Sequence, residues 1–503
     1  MKRIFLILLV LALGMPAFSC GGADDVTGGD TGGADDGAAV FADVTDGGQV
    51  QAPSPFTPID ADFGGYDFRI LGFYSYQHMW VAVSYSEVYA ETLTGVPIND
   101  AIYHRNKAVE ELYNIEISLF PVSYGARSEH ANIALRSIMA GDDAFDAALM
   151  IGYQMPRMMT TPNALVDLRS IQTLNLSNPW WDQASVRDLS LANKSLIVTG
   201  DISLYSAFGT VVTFFNKQMV ADHHLDDPYQ AVRDGTWTWN TLYEMSRAVT
   251  LDLDGDGIID HNDQIGIMAE RVSLLYSIQA GGMRLIEKDE NDLPVLAGSS
   301  ERLSRAIDIV LAALRGPEIS MDVNTVPGDF RNPFFEWALP KFRNNEALFF
   351  YHQLHIALNL REMEADFGVL PAPKIDENQD RHFSVANEWF ITYLFVPQTN
   401  IDLERTGAVL EAMGYHSQRL VTPAFYDVTV THQLARDQDS VEMLDIILRN
   451  RVYDLGSIYN WGNIISIFGD IYNTANNDAA SRFEAMEGAI EAAIQATLNI
   501  LLE

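Results

Sequence analysis

From residue 66 onward, short apolar runs alternate with segments in which apolar residues recur at the helical period. The runs Tyr66–Phe73, Ile115–Val122 and 145–151 predict strands, because they are short and rich in apolar residues. The segments between them, 99–114 and 129–140, predict helices. This order of strands and helices indicates a βαβαβ unit, and therefore a largely parallel sheet with right-handed crossovers.

The later half of the chain also alternates strand-like apolar runs with helical segments. Residues 210–216 and 347–351 predict strands, as does Phe367–Leu370. One helix is expected to begin near Trp239, and Ser300 is expected to cap another. The buried stripe of that second helix would consist of Leu303, Ile307, Val310, Leu311 and Leu314. The last 60 residues are mostly helical in pattern. These elements exceed what one sheet usually holds, so the predicted fold class is α/β with two lobes.

The first 20 residues predict an export signal. Lys2 and Arg3 precede an apolar run of ten residues, too short to span a bilayer as a mature helix. Small residues then lead to Cys20, the only cysteine, in a stretch that resembles a bacterial lipobox. The resemblance implies cleavage before Cys20 and acylation of that residue. The alternative is an ordinary secreted protein with one free thiol.

Residues 21–58 are dominated by Gly, Asp, Ala and Thr, and little large apolar surface precedes Val40. Such a segment cannot offset its ordering entropy by burial, so a flexible tether is expected. A lipid at Cys20 and a tether behind it would hold the folded part near the extracellular face of the cell membrane. After the signal no apolar run reaches 18 residues, so no further membrane-spanning segment is expected.

The formal net charge of −36 limits the partners of the chain. A protein this acidic has no surface that would neutralise nucleic-acid phosphates. It is equally unsuited to docking on an anionic lipid surface. Contact with the membrane is therefore expected only through the lipid anchor.

The stretch DLDGDGIIDHND, residues 252–263, has the spacing of an EF-hand calcium loop. A glycine at its sixth position permits the sharp turn, and the seventh residue would offer its carbonyl oxygen. The last position holds Asp where a longer Glu usually supplies two oxygens, which lowers the expected affinity. The expected Ca²⁺ ligands are Asp252, Asp254, Asp256, Ile258, Asp260 and Asp263. We expect a structural role, and the alternative is an acidic turn in an acidic protein.

No nucleophile, zinc-protease or phosphate-loop motif is present, so no catalytic residue is assigned and no enzyme activity is expected. A glycosidase needs only two carboxylates at a set distance, which the sequence does not reveal. Aromatic residues are more informative, because the chain has 8 Trp, 20 Tyr and 25 Phe. Sugar rings present flat C–H faces that pack on aromatic faces, while carboxylates and amides bind the hydroxyls.

Several stretches, in this order, resemble the extracellular solute-binding proteins of family 1, the carbohydrate-type substrate-binding lipoproteins of ABC importers. They are the lipobox-like Cys20, TGVPINDA at 94–101, PWW at 179–181, FFNK at 214–217, GTWTW at 235–239 and FGVLPAPK at 367–374. The resemblance implies a two-lobed periplasmic-binding-protein-like (type II) clamshell with an interlobe hinge. It implies a first lobe of 59–208 plus 352–417, and a second of 209–351 plus 418–503 that carries the calcium loop.

Ligands of α/β lobes meet loops at the carboxyl ends of strands, which favours aromatic and polar residues near those ends. The candidates are Tyr76, Trp80, Tyr153, Tyr351, His352, Glu388, Trp389 and Trp461. For any one of the aromatics, core packing is the commoner explanation.

The expected function is capture of a carbohydrate, in particular an oligosaccharide, by a monomeric lipoprotein that presents it to an ABC permease. A binder of peptides or other polar solutes is an alternative, as are an exported glycan-active enzyme and a scaffold lipoprotein.

Overall fold

The structure, a computed structural model, describes residues 56–75, 86–430 and 438–502. Within these residues no helix combines the length and the apolar character needed to cross a membrane. The predicted signal segment 1–20, and the tether up to residue 55, lie outside the described part of the chain.

Thirteen strands are found in the described residues. They are β1 (Tyr66–Phe73), β2 (Ile115–Val122), β3 (Ala147–Ile151), β4 (Val211–Asn216), β5 (Ile265–Ala269), β6 (Ile286–Lys288), β7 (Pro294–Leu296), β8 (Ser320–Asp322), β9 (Ala347–Gln353), β10 (Phe367–Leu370), β11 (Ser384–Val385), β12 (Thr392–Phe395) and β13 (Arg451–Val452).

Seventeen α-helices accompany these strands in the same residues. They are α1 (Pro97–Tyr113), α2 (His130–Ala140), α3 (Met155–Met159), α4 (Gln183–Asp188), α5 (Leu204–Phe208), α6 (Lys217–Asp222), α7 (Pro228–Arg233), α8 (Trp239–Val249), α9 (Ser273–Ala280), α10 (Glu301–Arg315), α11 (Leu339–Arg343), α12 (Leu403–His416), α13 (Thr422–Val430), α14 (Gln438–Arg449), α15 (Leu455–Tyr459), α16 (Ser466–Thr474) and α17 (Ala479–Leu502).

The first lobe is built on a four-stranded sheet in the order β12-β3-β1-β2. Strand β1 runs parallel to both β2 and β3, as the βαβαβ pattern predicts, and β12 joins antiparallel to β3. Side chains of β1 alternate between two faces: Phe68 and Ile70 pack in the core shared with α1 and α12, and Leu71 and Phe73 belong to the other core.

The second lobe is built on a five-stranded sheet in the order β10-β4-β9-β5-β8. Strand β5 is parallel to β8 and β9, while β4 is antiparallel to β9 and β10. Helices α8 and α10 pack on β5. The predicted cap of α10 is confirmed, because the Ser300 hydroxyl accepts a hydrogen bond from the Leu303 N–H at 3.1 Å.

The position expected for the return to the first lobe, near residue 352, is wrong. Strand β10 pairs with β4, with Phe367 opposite Asn216 and Leu370 opposite Thr213. Residues up to Leu370 therefore belong to the second sheet, and the chain returns between β10 and β12. Strand pairing at this distance in sequence is a tertiary property, and the local pattern that correctly predicted β10 carries no information about it.

The boundary placed at residue 418 is also too early. A π-turn at Ser417–Val421 joins α12 to α13, and the continuous helical segment packs on α1 of the first lobe. The Arg105 guanidinium of α1 lies 3.4 Å from the Ser417 hydroxyl. Pro423 lacks an N–H, and the π-turn just before it lets the helix continue. Helix α14 then packs on β10 in the second lobe.

Candidate functional site

The parallel strands of the second lobe end at one edge of their sheet, and polar residues follow there. Glu270 and Arg271 come directly after β5, and Asn324 follows β8. His352 is the penultimate residue of β9, and its Nε2 lies 3.5 Å from a carboxylate oxygen of Glu270. Because ligands of open α/β sheets bind outside the carboxyl ends of strands, this edge is one wall of a candidate site.

The opposite wall is the segment between β11 and β12, which is held rigidly by Asn387. The Asn387 N–H donates to the Gly209 carbonyl at 2.9 Å, and its side-chain oxygen accepts from the Trp389 N–H at 2.9 Å. The carbonyl of Glu388 accepts from the Tyr153 N–H at 2.9 Å. The segment is thereby fixed to the loop that follows β3 in the first lobe.

Trp389 presents a free aromatic face at this wall. Its indole stacks on the Tyr153 ring with centroids 4.5 Å apart and an interplanar angle of 20°. Even so, Trp389 is 60% exposed. An indole supported on one face and open on the other is a rigid platform for a flat apolar surface, such as the C–H face of a pyranose ring.

A cavity of about 500 Å³, which we call the Trp389 cleft, lies between the two walls. Its lining includes Glu270, Arg271, Tyr276, Asn324, Asn387 and Trp389. The volume falls within the about 300–1,000 Å³ typical of small-molecule sites. One aromatic platform facing amides, carboxylates and a phenol suits a polyhydroxylated ligand.

Two glutamates hold protons more strongly than usual: Glu270, which lines the cleft, and Glu388, a buried residue next to Trp389 in the chain. Burial raises the pKa of Glu388 to about 8, and the charge of Asp454 adds to the rise, although a hydrogen bond from the Tyr393 hydroxyl at 3.0 Å opposes it. Burial raises the pKa of Glu270 to about 7, and the charge of Asp322 contributes. Near neutral pH, Glu388 is thus mainly a neutral acid, and Glu270 is close to half ionised.

An imidazole and a phenol beside these glutamates are kept neutral by burial. Burial lowers the pKa of His352 well below its usual value, and the neighbouring His355 lowers it further. Burial raises the pKa of Tyr276, and the charges of Glu388 and Glu270 add to that effect. The cleft thus offers neutral donors and acceptors beside the cationic Arg271 and the carboxyl groups of Glu270 and Asp322.

The loop after β3 lies close against the segment that carries Trp389, and this approach depends on Gly152, which directly follows β3. A Cβ atom at this position would lie 2.5 Å from Glu388 Oε2 and 2.9 Å from the Glu388 carbonyl oxygen. Any side chain there would displace the segment that carries Trp389.

The structure brings together three of the residues predicted to bind ligand: Tyr153, Glu388 and Trp389. His352 is 8% exposed and contacts Glu270, which lines the cleft. Tyr76 and Trp80 lie outside the described residues. Their predicted roles stay predictions.

The structure does not place Tyr351 and Trp461 at the cleft. Tyr351 is 1% exposed and packs edge-on against Trp239. Trp461 is 4% exposed, stacks on Tyr459 at 4.3 Å and donates from Nε1 to the Thr497 hydroxyl at 2.8 Å. Both side chains are buried in the core, so neither offers a free face to a ligand.

Sequence reasoning missed the polar part of the cleft, namely Glu270, Arg271, Tyr276, Asn324 and Asn387. A signal existed for the first of these, because Glu270 is the first charged residue after the apolar run IGIMA of β5. Asn387 had no comparable signal, since its place depends on the pairing of distant segments.

The acidic loop at 252–263 adopts part of the expected calcium geometry. The Asp252 carboxylate accepts from the Gly255 N–H at 2.6 Å and from the Gly257 N–H at 2.8 Å. Gly257 has φ +82°, which permits the turn at the sixth position. Asp252, Asp254 and Asp256 each offer a carboxylate oxygen, and these oxygens lie within 4.8 Å of one another.

The remaining predicted calcium ligands are not part of that cluster. Asp263 is buried, and its two carboxylate oxygens accept from the N–H groups of Leu253 and Asp260, each at 2.8 Å. The side chain of Asp260 accepts from the Asn262 N–H. The side chain of Ile258 is 63% exposed. Three converging carboxylates fit a hard divalent cation.

Electrostatic crowding in the loop agrees with this fit. A hydrogen bond from the Asp256 N–H lowers the pKa of Asp254, but loss of hydration and the charges of Asp256, Asp263 and Asp252 outweigh it and raise the pKa. A cation between these carboxylates would remove the repulsion.

No protein-family model matches the chain, and no curated protein matches it in sequence. Solved structures are similar in fold. A de novo designed esterase has a TM-score of 0.56 at 12% identity, covering 86% of this chain and 99% of its own. A cyclo/maltodextrin-binding protein complexed with maltotetraose has a TM-score of 0.54 at 12% identity, covering 88% and 97%.

A third similar structure is the GacH receptor of Streptomyces glaucescens, solved without ligand and in complex with acarbose. Its TM-score is 0.50 at 11% identity, covering 87% of this chain and 99% of the receptor. At these identities the likeness shows the fold. The expected two-lobed α/β fold is therefore confirmed.

Proposed function

We propose that the protein is a solute-binding protein that captures a carbohydrate in the Trp389 cleft and presents it to an ABC permease. The observation that carries this proposal is the indole of Trp389, supported by Tyr153 on one face and exposed on the other, opposite a polar strand edge. Two of the similar structures are complexes with maltotetraose and with acarbose, which supports a saccharide as the ligand class.

The chemistry of the cleft matches a sugar in detail. One ring would lie on the indole, where its axial C–H groups contact the aromatic face. Its hydroxyls would hydrogen-bond to Asn324, Asn387 and Glu270, which line the cleft. A cavity of about 500 Å³ favours a short oligosaccharide over a long chain.

We propose that the protein binds its sugar without turning it over. Glu270 in the cleft and the buried Glu388 near it have raised pKa values, which is also a property of glycosidase acids, so the absence of turnover needs its own measurement. Incubating the protein with a reducing-end-labelled maltooligosaccharide and analysing the products by chromatography provides it. Release of shorter labelled sugars would assign an enzyme in place of a transporter component.

The decisive experiment is a calorimetric and thermal-shift screen of the folded part, from about residue 56, against mono- and oligosaccharides. A ligand at a hundredfold over its Kd stabilises the folded state by about 2.7 kcal/mol, which raises the melting temperature measurably. A di- and tripeptide panel runs beside it. If peptides bind and no sugar does, the proposal of a carbohydrate ligand is rejected, and only the assignment of the fold remains.

We propose that Ca²⁺ binds in the loop 252–263, held by Asp252, Asp254 and Asp256, and acts as a structural clamp on the second lobe.

We also propose acylation at Cys20, which would anchor the protein to the extracellular face of the membrane through the tether. Globomycin-sensitive processing in a bacterial host and mass spectrometry of the mature N-terminus test the second point. An unmodified Cys20 would contradict it.

A further inference from the structure

A second cavity, of about 350 Å³, lies where the segments that connect the two lobes meet. Residues 200–207, 381–383 and 418–426 all contribute to its walls. We call it the arginine cavity. Trp180 and Trp181 also line it, but each is only 1% exposed, so neither offers a ring face to a sugar.

Arginine is strongly enriched at this cavity. Five of the 25 arginines in the sequence line it: Arg187, Arg284, Arg381, Arg449 and Arg451. Three carboxylates, Asp182, Asp201 and Asp445, line it too. With five arginines and three carboxylates, the lining has a net positive charge, although the formal charge of the whole chain is −36.

Four of these arginines have a close carboxylate partner. Arg451 lies 2.8 Å from Asp182, and Arg449 lies 2.7 Å from Asp445. Arg187 and Arg381 pair with the carboxylates that neighbour them in sequence, Asp188 at 2.8 Å and Asp380 at 3.2 Å. Their charges are therefore largely compensated.

Arg284 differs from the other four. Its ion pair within the described residues is with Asp188, at 4.0 Å, and that carboxylate is already shared with Arg187. The Arg284 side chain is 22% exposed, and its Nη1 is buried without a hydrogen-bond partner among the described residues. A poorly paired guanidinium beside a cavity is a site at which an anionic group gains strong, charge-assisted hydrogen bonds.

The carboxylates that face the cavity do not block such a ligand. Asp182 accepts from Arg451 and from the Tyr453 hydroxyl at 2.8 Å, and Asp201 accepts from the Thr422 hydroxyl at 2.7 Å. Their presence restricts the ligand to a single anionic group, because further negative charge would approach these carboxylates.

We propose that the arginine cavity binds the carboxylate or phosphate group of a small polar molecule at Arg284, in a site separate from the Trp389 cleft. The ligand would contact all three connecting segments. It would thereby stabilise the arrangement of the lobes seen in this structure relative to others.

The test is isothermal titration of the folded protein with inorganic phosphate, acetate, glucuronate and neutral glucose, at constant ionic strength. We expect binding of phosphate or of the carboxylates, acetate and glucuronate, and no binding of glucose. Which of these anions binds shows whether the site prefers a phosphate or a carboxylate group. Arg284→Gln is expected to weaken that binding at least tenfold. Arg284→Lys, which keeps the charge but loses the planar fork, is expected to weaken it less.

Two controls make the result specific. Arg247→Gln removes an exposed surface arginine that pairs with Glu244 and lies away from the cavity, and is expected to leave anion binding unchanged. Trp389→Ala removes the sugar platform, so anion binding that survives this change is independent of the proposed sugar site. No binding of any tested anion overturns the inference. So does anion binding that Arg284→Gln leaves unchanged, since the anion would then lie elsewhere.

Discussion

The indole of Trp389 and the phenol ring of Tyr153 stack 4.5 Å apart, although 236 residues separate them in the chain. Tyr153 follows β3, and Trp389 precedes β12, the antiparallel neighbour of β3 in the same sheet. Because the two strands lie side by side, the pair forms at their shared end. The outer face of Trp389 is left open toward the second lobe.

Replacing Trp389 with alanine is expected to reduce sugar affinity by at least about tenfold, or about 1.4 kcal/mol, because the stacking surface is lost. Stability should change little, since the side chain is 60% exposed. Trp389→Phe should retain part of the affinity. Calorimetry with the best sugar of the screen measures both variants.

The matched control for this substitution is Tyr243→Ala, which truncates a partly exposed aromatic on α8 that does not line the Trp389 cleft. Its sugar affinity is expected to equal that of the wild type. Equal affinity for Trp389→Ala and the wild type would remove the aromatic platform from the proposal.

The buried acid Glu388 is expected to make stability depend on pH. Its folded-state pKa of about 8 lies above the ordinary glutamate value of 4.5, so between these values the folded state holds a proton that the unfolded state releases. The free energy of unfolding therefore falls as pH rises from about 4.5 to 8 and is steady above that. Glu388→Gln removes this contribution. Relative to the wild type, the variant should gain on the order of 3 kcal/mol between pH 5 and pH 8.5.

Urea denaturation at the two pH values measures this difference. Glu270 is present in both proteins, so its contribution cancels in the comparison, whereas the measured difference includes the interaction of Glu388 with Asp454. The control Glu111→Gln alters an exposed helical glutamate and should shift stability by less than about 0.5 kcal/mol at either pH. A pH-independent difference for Glu388→Gln would mean that Glu388 is ionised throughout.

Glu270 is expected to control the pH dependence of sugar binding. If a sugar hydroxyl donates to its carboxylate, the ionised form binds better, and affinity rises as pH passes through the pKa of about 7. Two facing groups do not reproduce this rise, because burial lowers the pKa of His352 well below its usual value and raises that of Tyr276. Burial also raises the pKa of Asp322, but Asp322 is present in both the wild type and the variant. Glu270→Gln should flatten the profile between pH 5.5 and 8. A profile that keeps its slope in this variant assigns the titration to another group.

Local pattern predicted much of the fold. Strands β1, β2 and β10 have the expected bounds, because each is a short run rich in apolar residues. Membership in a sheet was not predictable in this way. The pairing of β10 with β4, and the packing of residues 418–430 on α1, depend on contacts between distant parts of the chain.

The candidate site also depends on both local pattern and contacts between distant parts of the chain. Trp389 and Trp461 are both aromatic residues in short polar segments, and the sequence offers no means to separate them. The structure exposes the first and buries the second against Tyr459 and Thr497. Exposure is set by what α17 covers, and a window of neighbouring residues does not contain that information.

Trp461→Phe provides a direct check of this distinction. The variant loses the hydrogen bond from Nε1 to Thr497 and some packing volume, so stability is expected to fall by about 1–2 kcal/mol. Sugar affinity, measured well below the melting temperature, should be unchanged. An affinity loss as large as that of Trp389→Ala would return Trp461 to the ligand site.

The calcium proposal predicts a stability change that depends on three carboxylates. Chelation with EDTA should lower the melting temperature, and added Ca²⁺ should restore it, because binding to the folded state alone stabilises it by mass action. Asp254→Asn removes one of the three clustered carboxylates and should abolish most of this response. Asp226→Asn, an exposed carboxylate outside the loop, should respond to chelator like the wild type. In the absence of calcium, Asp254→Asn should be at least as stable as the wild type, because it relieves repulsion from Asp256, Asp263 and Asp252.

The calcium proposal would be contradicted if chelator did not change the melting temperature of the wild type. The loop would then be an acidic turn that binds no metal.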